Sequence, residues 1–137
     1  MIVSVVYQLR ITNYQLRKMN ENNIVQQKSF SFAIRIVNAY KYLVSEKKEF
    51  VFSKQLLRSG TSIGANIEES IGAQSDKDFF TKITIAYKEA RETTYWLKLL
   101  KETEYLSNDE ASSLLNDAED IRKKIGKIQI TLKNRNS

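Results

Sequence analysis

The chain of 137 residues has no cysteine, no histidine and no proline, and only four glycines. Each absence removes a class of explanation. Without cysteine there is no disulfide framework and no thiolate nucleophile. Without histidine the commonest metal ligand and neutral-pH general base is missing. Proline averages about 5% of residues in ordinary chains, so its absence favours long unbroken helices. Scarce glycine leaves few tight turns and argues against an all-β fold. No stretch approaches the ~18 continuous apolar residues of a membrane span. The opening MIVSVVYQLR has no basic segment before it and no long apolar core, so it does not read as a signal peptide. The expectation is one cytoplasmic domain with no membrane partner, and 42% hydrophobic residues suffice for its core.

The net charge is +6 and unevenly placed. Ile121–Ser137 holds Arg122, Lys123, Lys124, Lys127, Lys133 and Arg135 and no acid. Removing these six from the 22 basic residues leaves 16, which balances the 16 acids that all precede residue 121. A basic stripe of this kind is the footprint of a polyanion partner, and equally of a solvated tail that suits a helix C-terminus.

Residues 1–23 stand apart. YQLRITN at Tyr7–Asn13 is followed at once by YQLR at Tyr14–Arg17. This pair reads either as a short heptad helix or as an incidental repeat, since two copies cannot build a solenoid; a loosely attached, poorly ordered extension is expected. From residue 24 to 133 the pattern is regular, leaving 134–137 as a tail. The first helix, about 26–47, carries two apolar rows: Phe30, Ala33, Val37, Tyr40 and Val44, and beside them Phe32, Ile36 and Leu43. A second helix spans about 50–71, with Gly72 standing where a C-terminal cap belongs. The third, about 75–105, opens at Ser75 with Asp78 three residues on, and the fourth, about 108–133, opens at Ser107 with Glu110 in the same relation. Their apolar residues follow a 4-3 spacing: Phe79, Ile83, Ala86, Ala90, Thr93, Leu97 and Leu100, then Leu114, Ala118, Ile121, Ile125, Ile128 and Leu132. A sustained 3.5-residue period with short connections predicts an all-α, antiparallel up-down-up-down four-helix bundle.

LLRSGTSIGANIEES, Leu56–Ser70, sets two glycines four apart inside the second helix, each costing about 1 kcal/mol against alanine. A Walker loop needs a lysine and a hydroxyl residue after its second glycine; here Ala65 and Asn66 follow. Ser59 and Ser62 have no histidine to activate them. Packing accounts for the stretch: Gly60 and Gly64 let a neighbouring helix approach, with Phe79, Phe80, Tyr87 and Trp96 of the third helix as the bulky partners.

Glu68 and Glu69 on the second helix, and Glu89 and Glu92 on the third, raise the question of a carboxylate metal site. The bundle version of that site uses Glu-x-x-His motifs, which this chain cannot supply. Polar contacts that fix helix register are the expected role of Asn66, Glu89, Glu92 and Trp96, with Arg58 or Arg91 as partners. Lys88–Glu92 and Asp78–Lys82 are spaced for ion pairs within the third helix. No cofactor, metal or catalytic residue is expected.

QLLRSGTSIGANIEES, followed by DFFTKITIAYKEARETTYWLKLLKETEYL, closely resembles the four-helix proteins encoded in intervening sequences of bacterial 23S ribosomal RNA genes. The resemblance covers about Lys28 to Lys133. It implies a small antiparallel bundle that assembles into a ring-shaped homopentamer. The biochemical activity of that family is not established. A related branch, the accessory proteins of diversity-generating retroelements, is basic, partners a reverse transcriptase and binds nucleic acid. The surplus apolar row of the first helix is consistent with self-association on its own terms. The chain is therefore expected to be a non-enzymatic homo-oligomer. Its partners would be RNA or DNA, or a nucleic-acid-processing protein, met through Arg122, Lys123, Lys124, Lys127, Lys133 and Arg135. The alternative is a protein-interaction scaffold with no nucleic-acid role. Arg35, Lys41 and Lys54 are further basic candidates on other faces.

Overall fold

The computed structural model describes residues 13–136, with side chains from 23 to 134. Four helices follow one another: α1 (Asn13–Ser45), α2 (Phe52–Ile71), α3 (Asp76–Glu102) and α4 (Asn108–Asn136). No strand occurs among the described residues. Each helix packs on the next in sequence, and α4 closes against α1. Short connections force neighbours antiparallel, which gives the up-down-up-down bundle.

The 4-3 rows become the core. Ile83, Ala86, Ala90, Leu97 and Leu100 of α3 are buried, and so is the row of α4 from Leu114 to Leu132. On α2 the buried row is Leu56, Gly60, Ile63 and Ile67. The two rows of α1 have different fates. Phe32, Ile36 and Leu43 are fully buried. Phe30 stands 68% exposed, and Ala33, Val37, Tyr40 and Val44 are half-buried.

α1 begins at Asn13 rather than near residue 26. No proline or glycine lies between Asn13 and Ser45, so nothing local stops the helix at the point where its apolar period begins. α1 thus takes in the second YQLR copy; the first lies, apart from Asn13, outside the described residues.

The helix ends follow local chemistry. Ser75 Oγ accepts from the Asp78 backbone N–H at 3.0 Å, and Ser107 Oγ from that of Glu110 at 3.2 Å. Gly72 caps α2 with φ −88°, outside the left-handed region. The left-handed positions that close helices are Lys48 (φ 54°) and Glu104 (φ 67°). At the second, Tyr105 N–H bonds to Leu100 O at 2.9 Å and Glu104 N–H to Lys101 O at 3.1 Å, which is a Schellman closure.

The start of α2 has a cap that spacing did not reveal. Glu49, 6% exposed, lies in the connection from α1. Its carboxylate accepts from the backbone N–H of Val51 and Phe52 (2.9 Å each) and of Ser53 (2.6 Å).

Gly126 shows that not every helical glycine is a packing device. A Cβ there would lie 3.6 Å from Tyr87 Cε2, an ordinary contact. Gly126→Ala is expected to stabilise the fold by up to about 1 kcal/mol, the helix-propensity difference. A thermal melt reads this as a rise of a few degrees, and a fall would show the site to be tighter than its contacts indicate.

Candidate nucleic-acid interface

The last turns of α4 are amphipathic. Ile121, Ile125, Ile128 and Leu132 face the core, and the basic residues fill the remaining circumference. They divide into two groups. Arg122 and Lys124 are half-buried and engaged. Arg122 donates to Glu119 Oε2 (2.7 and 3.2 Å) and to Tyr87 Oη of α3 (3.1 Å), with its guanidinium carbon 5.9 Å from the Tyr87 ring centre. The Glu119 hydrogen bond, with that of Tyr87, raises the Arg122 pKa. Lys124 reaches Asp120 Oδ1 at 3.1 Å, and Lys28 of α1 takes Oδ2 at 3.2 Å. Lys123, Lys127 and Lys133 are exposed, and no ion pair among the described residues holds them. α4 runs on past Arg135, whose side chain lies outside the described ones.

α3 extends this surface. Lys88, Arg91, Tyr95 and Lys98 recur at 3-4-3 spacing and are all exposed, so they form one ridge along the helix. Glu119 ties the ridge to α4. Its carboxyl is held below the ordinary range first by the Arg122 hydrogen bond; burial opposes this, and the charges of Arg122, Lys98 and Lys123 add to it. Contacts of Tyr87 with Arg122 and of Thr84 with Gln129 (3.4 Å) set the register of the pair. With about 1.5 Å rise per residue, the basic surface from Lys98 to Lys133 extends roughly 25 Å along the bundle. Two acids border it: Glu119, engaged by Arg122, and Glu92, engaged by Arg58.

Spacing alone predicts polar contacts of Lys88 and Arg91 with the acids of α3, and it does not single out Tyr95 and Lys98. The 3-4-3 spacing of these four is present in KEARETTYWLK, interleaved with Glu89 and Glu92. The ion pairs expected within α3 do not form. Glu92 pairs with Arg58 of α2, and Lys82 reaches Glu69 of α2 at 2.8 Å. The further candidate Arg35 is spent on Asp117 (2.5 Å) and Ser113, whereas Lys41 and Lys54 are exposed on other faces.

The packing residues form two separate constellations. Arg58 spans Glu89 (3.2 Å) and Glu92, and Glu92 also accepts from Trp96 Nε1 at 3.1 Å, so this group ties α2 to α3. Asn66 does not join helices; its amide donates to Ser62 O of its own helix at 2.9 Å. Gly60 and Gly64 face α1, not the aromatics of α3. A Cβ on Gly60 would meet Ile36 Cγ1 and Cγ2 at 2.8 Å, and one on Gly64 would meet Ser29 O at 3.3 Å. The four carboxylates also separate. Glu68 accepts from Gln26 at 2.7 Å, Glu69 holds Lys82, and Glu89 and Glu92 hold Arg58. Among the described residues no three acidic side chains converge as metal ligands would.

The α1–α2 side has the opposite character. An open groove of about 730 Å³ runs between the two helices, floored by Ala33, Thr61, Gly64 and Ala65 and flanked by Phe30, Gln26, Gln27 and Glu68. Ile34 of α1, one turn after Phe30, is also exposed (50%). Among the described residues no helix is long and apolar enough to cross a membrane.

Comparison with known proteins accords with this architecture. The family model described as 23S rRNA-intervening sequence protein matches residues 21–127. A crystal structure from Bacteroides thetaiotaomicron VPI-5482, described as a protein with unknown function from the S23 ribosomal protein family, is 56% identical. It superposes with a TM-score of 0.79 over 80% of this chain and 97% of the other. No curated protein matches the chain. With most of its length matched by that family model, and with the bundle the relative also adopts, the chain belongs to the 23S rRNA-intervening sequence protein family.

Proposed function

We propose that this protein is a non-enzymatic, self-assembling bundle that binds nucleic acid through its α3–α4 face. The observation that carries the reading is the unpaired basic surface of Lys88, Arg91 and Lys98 on α3 with Lys123, Lys127 and Lys133 on α4. Phosphate contacts need only cations that can reach, with no sequence code. Self-assembly, as a pentameric ring by family resemblance, is supported by the outer apolar row and groove on the α1–α2 side. Assembly through that side leaves the basic face of each copy free, and multiplies it. The same apolar side supports the second reading, a scaffold for a nucleic-acid-processing protein, in which the basic face is only a solvated surface.

Light scattering and fluorescence anisotropy with a short labelled RNA, at low and moderate salt, separate the two. The proposal expects an oligomer whose RNA affinity falls steeply as salt rises. Replacing Lys123, Lys127 and Lys133 with Gln is expected to reduce the log–log salt slope by about 2, from ~0.7 per phosphate contact on a single strand. An oligomer that ignores RNA at every salt concentration overturns the nucleic-acid reading and favours the scaffold. A monomer removes the assembly claim.

A further inference from the structure

We infer that the α3–α4 face takes single-stranded rather than duplex nucleic acid, and that Tyr95 is its base-stacking platform. This rests on the polyanion reading above and adds to it the form of the strand. Tyr95 is 59% exposed, on the ridge that presents Arg91 one turn before it and Lys98 one turn after. Residues so spaced are neighbours on a helix surface, about 5–6 Å apart, so a strand whose phosphates are held by the two cations passes its bases over the ring.

The ring is exposed yet held. Trp96 meets it at an interplanar angle of 78° with centroids 5.0 Å apart, and Trp96 is itself stacked on Phe52 of α2 at 6.1 Å and anchored to Glu92 through Nε1. Three rings therefore run from the start of α2 to the surface, and the outermost carries no load in the core. An aromatic fixed among cations offers stacking at low ordering cost. Ile130, 61% exposed between Lys127 and Lys133, places a second apolar side chain in the same basic surface.

Duplex gains nothing from this arrangement. Its bases are stacked on one another, and it presents only phosphates to the broad face of two packed helices. A base out of the stack is what an exposed tyrosine can recognise.

The experiment is anisotropy at low salt with labelled 12-nucleotide oligouridine, the matching oligothymidine and a 12-base-pair duplex. The proteins are the full chain, its Tyr95→Ala and Tyr95→Phe variants, and a Lys123→Gln/Lys127→Gln variant. Tyr95→Ala is expected to weaken single-strand binding about 5- to 150-fold, the range for one stacked base. Tyr95→Phe, which keeps the ring, should stay near the parent, and duplex binding should be unchanged in both. The pattern in either the RNA or the DNA strand supports the inference. The sole tryptophan supplies a second readout, since a base on Tyr95 should quench Trp96 emission where duplex does not. Equal loss of single-strand and duplex binding in Tyr95→Ala, or no loss in it while the lysine variant weakens binding, overturns the stacking role and leaves the polyanion surface standing. Failure of the parent to bind any of the three probes overturns both.

Discussion

Gly60→Leu is expected to cost about 3 kcal/mol or more, since overpacking a filled core commonly costs 1–3 and a leucine here has nowhere to go. For a chain of this size that is a fall in melting temperature of about 10 °C or more. The reason is geometric. Even a single methyl at residue 60 would lie 2.8 Å from two carbons of Ile36, and Ile36 is completely buried. Relief requires α1 and α2 to separate, which would open the core on both sides. Gly60→Ala is the sharper measurement because two effects of known sign compete. Alanine gains about 1 kcal/mol in helix propensity, yet a net loss is expected because close-packed interiors do not absorb such a contact. A double-mutant cycle with Ile36→Ala identifies the cause. Ile36→Ala alone should cost about 2–5 kcal/mol, and in the Gly60→Ala background clearly less, because the alanine methyl fills part of the vacated space. Additive losses, or a Gly60→Leu protein that melts like the parent, would show that the glycine is not there for α1.

Glu49→Ala is the second large effect, expected at about 2–3 kcal/mol, because it strips three backbone donors of their acceptor at a helix start where the Ser53 amide is buried. Glu49→Gln keeps the shape and one acceptor oxygen and should cost less. The effect carries a pH signature. Burial alone pushes this carboxyl up from its ordinary 4.5; the backbone N–H bonds of Phe52, Ser53 and Val51 outweigh that and hold it below. In the unfolded chain the group therefore binds a proton more readily than in the fold, and stability rises with pH through this window. The contribution is complete above the ordinary carboxylate range and is lost as pH falls through the lowered folded value. The stability difference between parent and Glu49→Gln should thus be largest near neutral pH and shrink below about pH 4.5. Glu119 and Asp120 shift in the same direction, so the difference between the two proteins, rather than the parent's own acid unfolding, isolates Glu49. A difference that does not change with pH would assign the loss to packing instead of charge.

Much of this architecture is written in periodicity. The 4-3 rows of α3 and α4, read as core, are buried along almost their whole length, with Phe79 half-covered. Ser75 and Ser107 start their helices as the capping chemistry requires. Helix ends were less legible where the local rule was absent or overridden. α1 has no breaker to announce its start. Lys48 and Glu104 adopt left-handed backbone without being glycine, because the bundle fixes where the chain must turn. Glu49 looked like one charge in the polar run SEKKEF, and only the folded connection turns it back onto α2.

The basic surface shows the same division. That the last turns of α4 are cationic follows from composition alone. That Arg122 and Lys124 are engaged while Lys123, Lys127 and Lys133 stand free depends on where Glu119, Asp120 and Tyr87 lie, and that the surface continues onto Lys88, Arg91 and Lys98 depends on the register of α3 against α4. The glycine pair was legible as a packing feature, yet its partner was not. Residues four apart define a face in any helix, but which neighbour fills that face is settled by how four helices close around one core.

By itself, then, the sequence determined the helical class, the buried rows, the caps at Ser75 and Ser107 and the sign of the charge, all of which follow from spacing along one chain. Only the tertiary structure decided which charges are paired, which helix meets Gly60, and which aromatic reaches the surface among cations. The contacts between helices, such as Arg58 with Glu89, Arg122 with Tyr87 and Gly60 with Ile36, are relations between residues tens of positions apart, and packing alone brings them within contact distance.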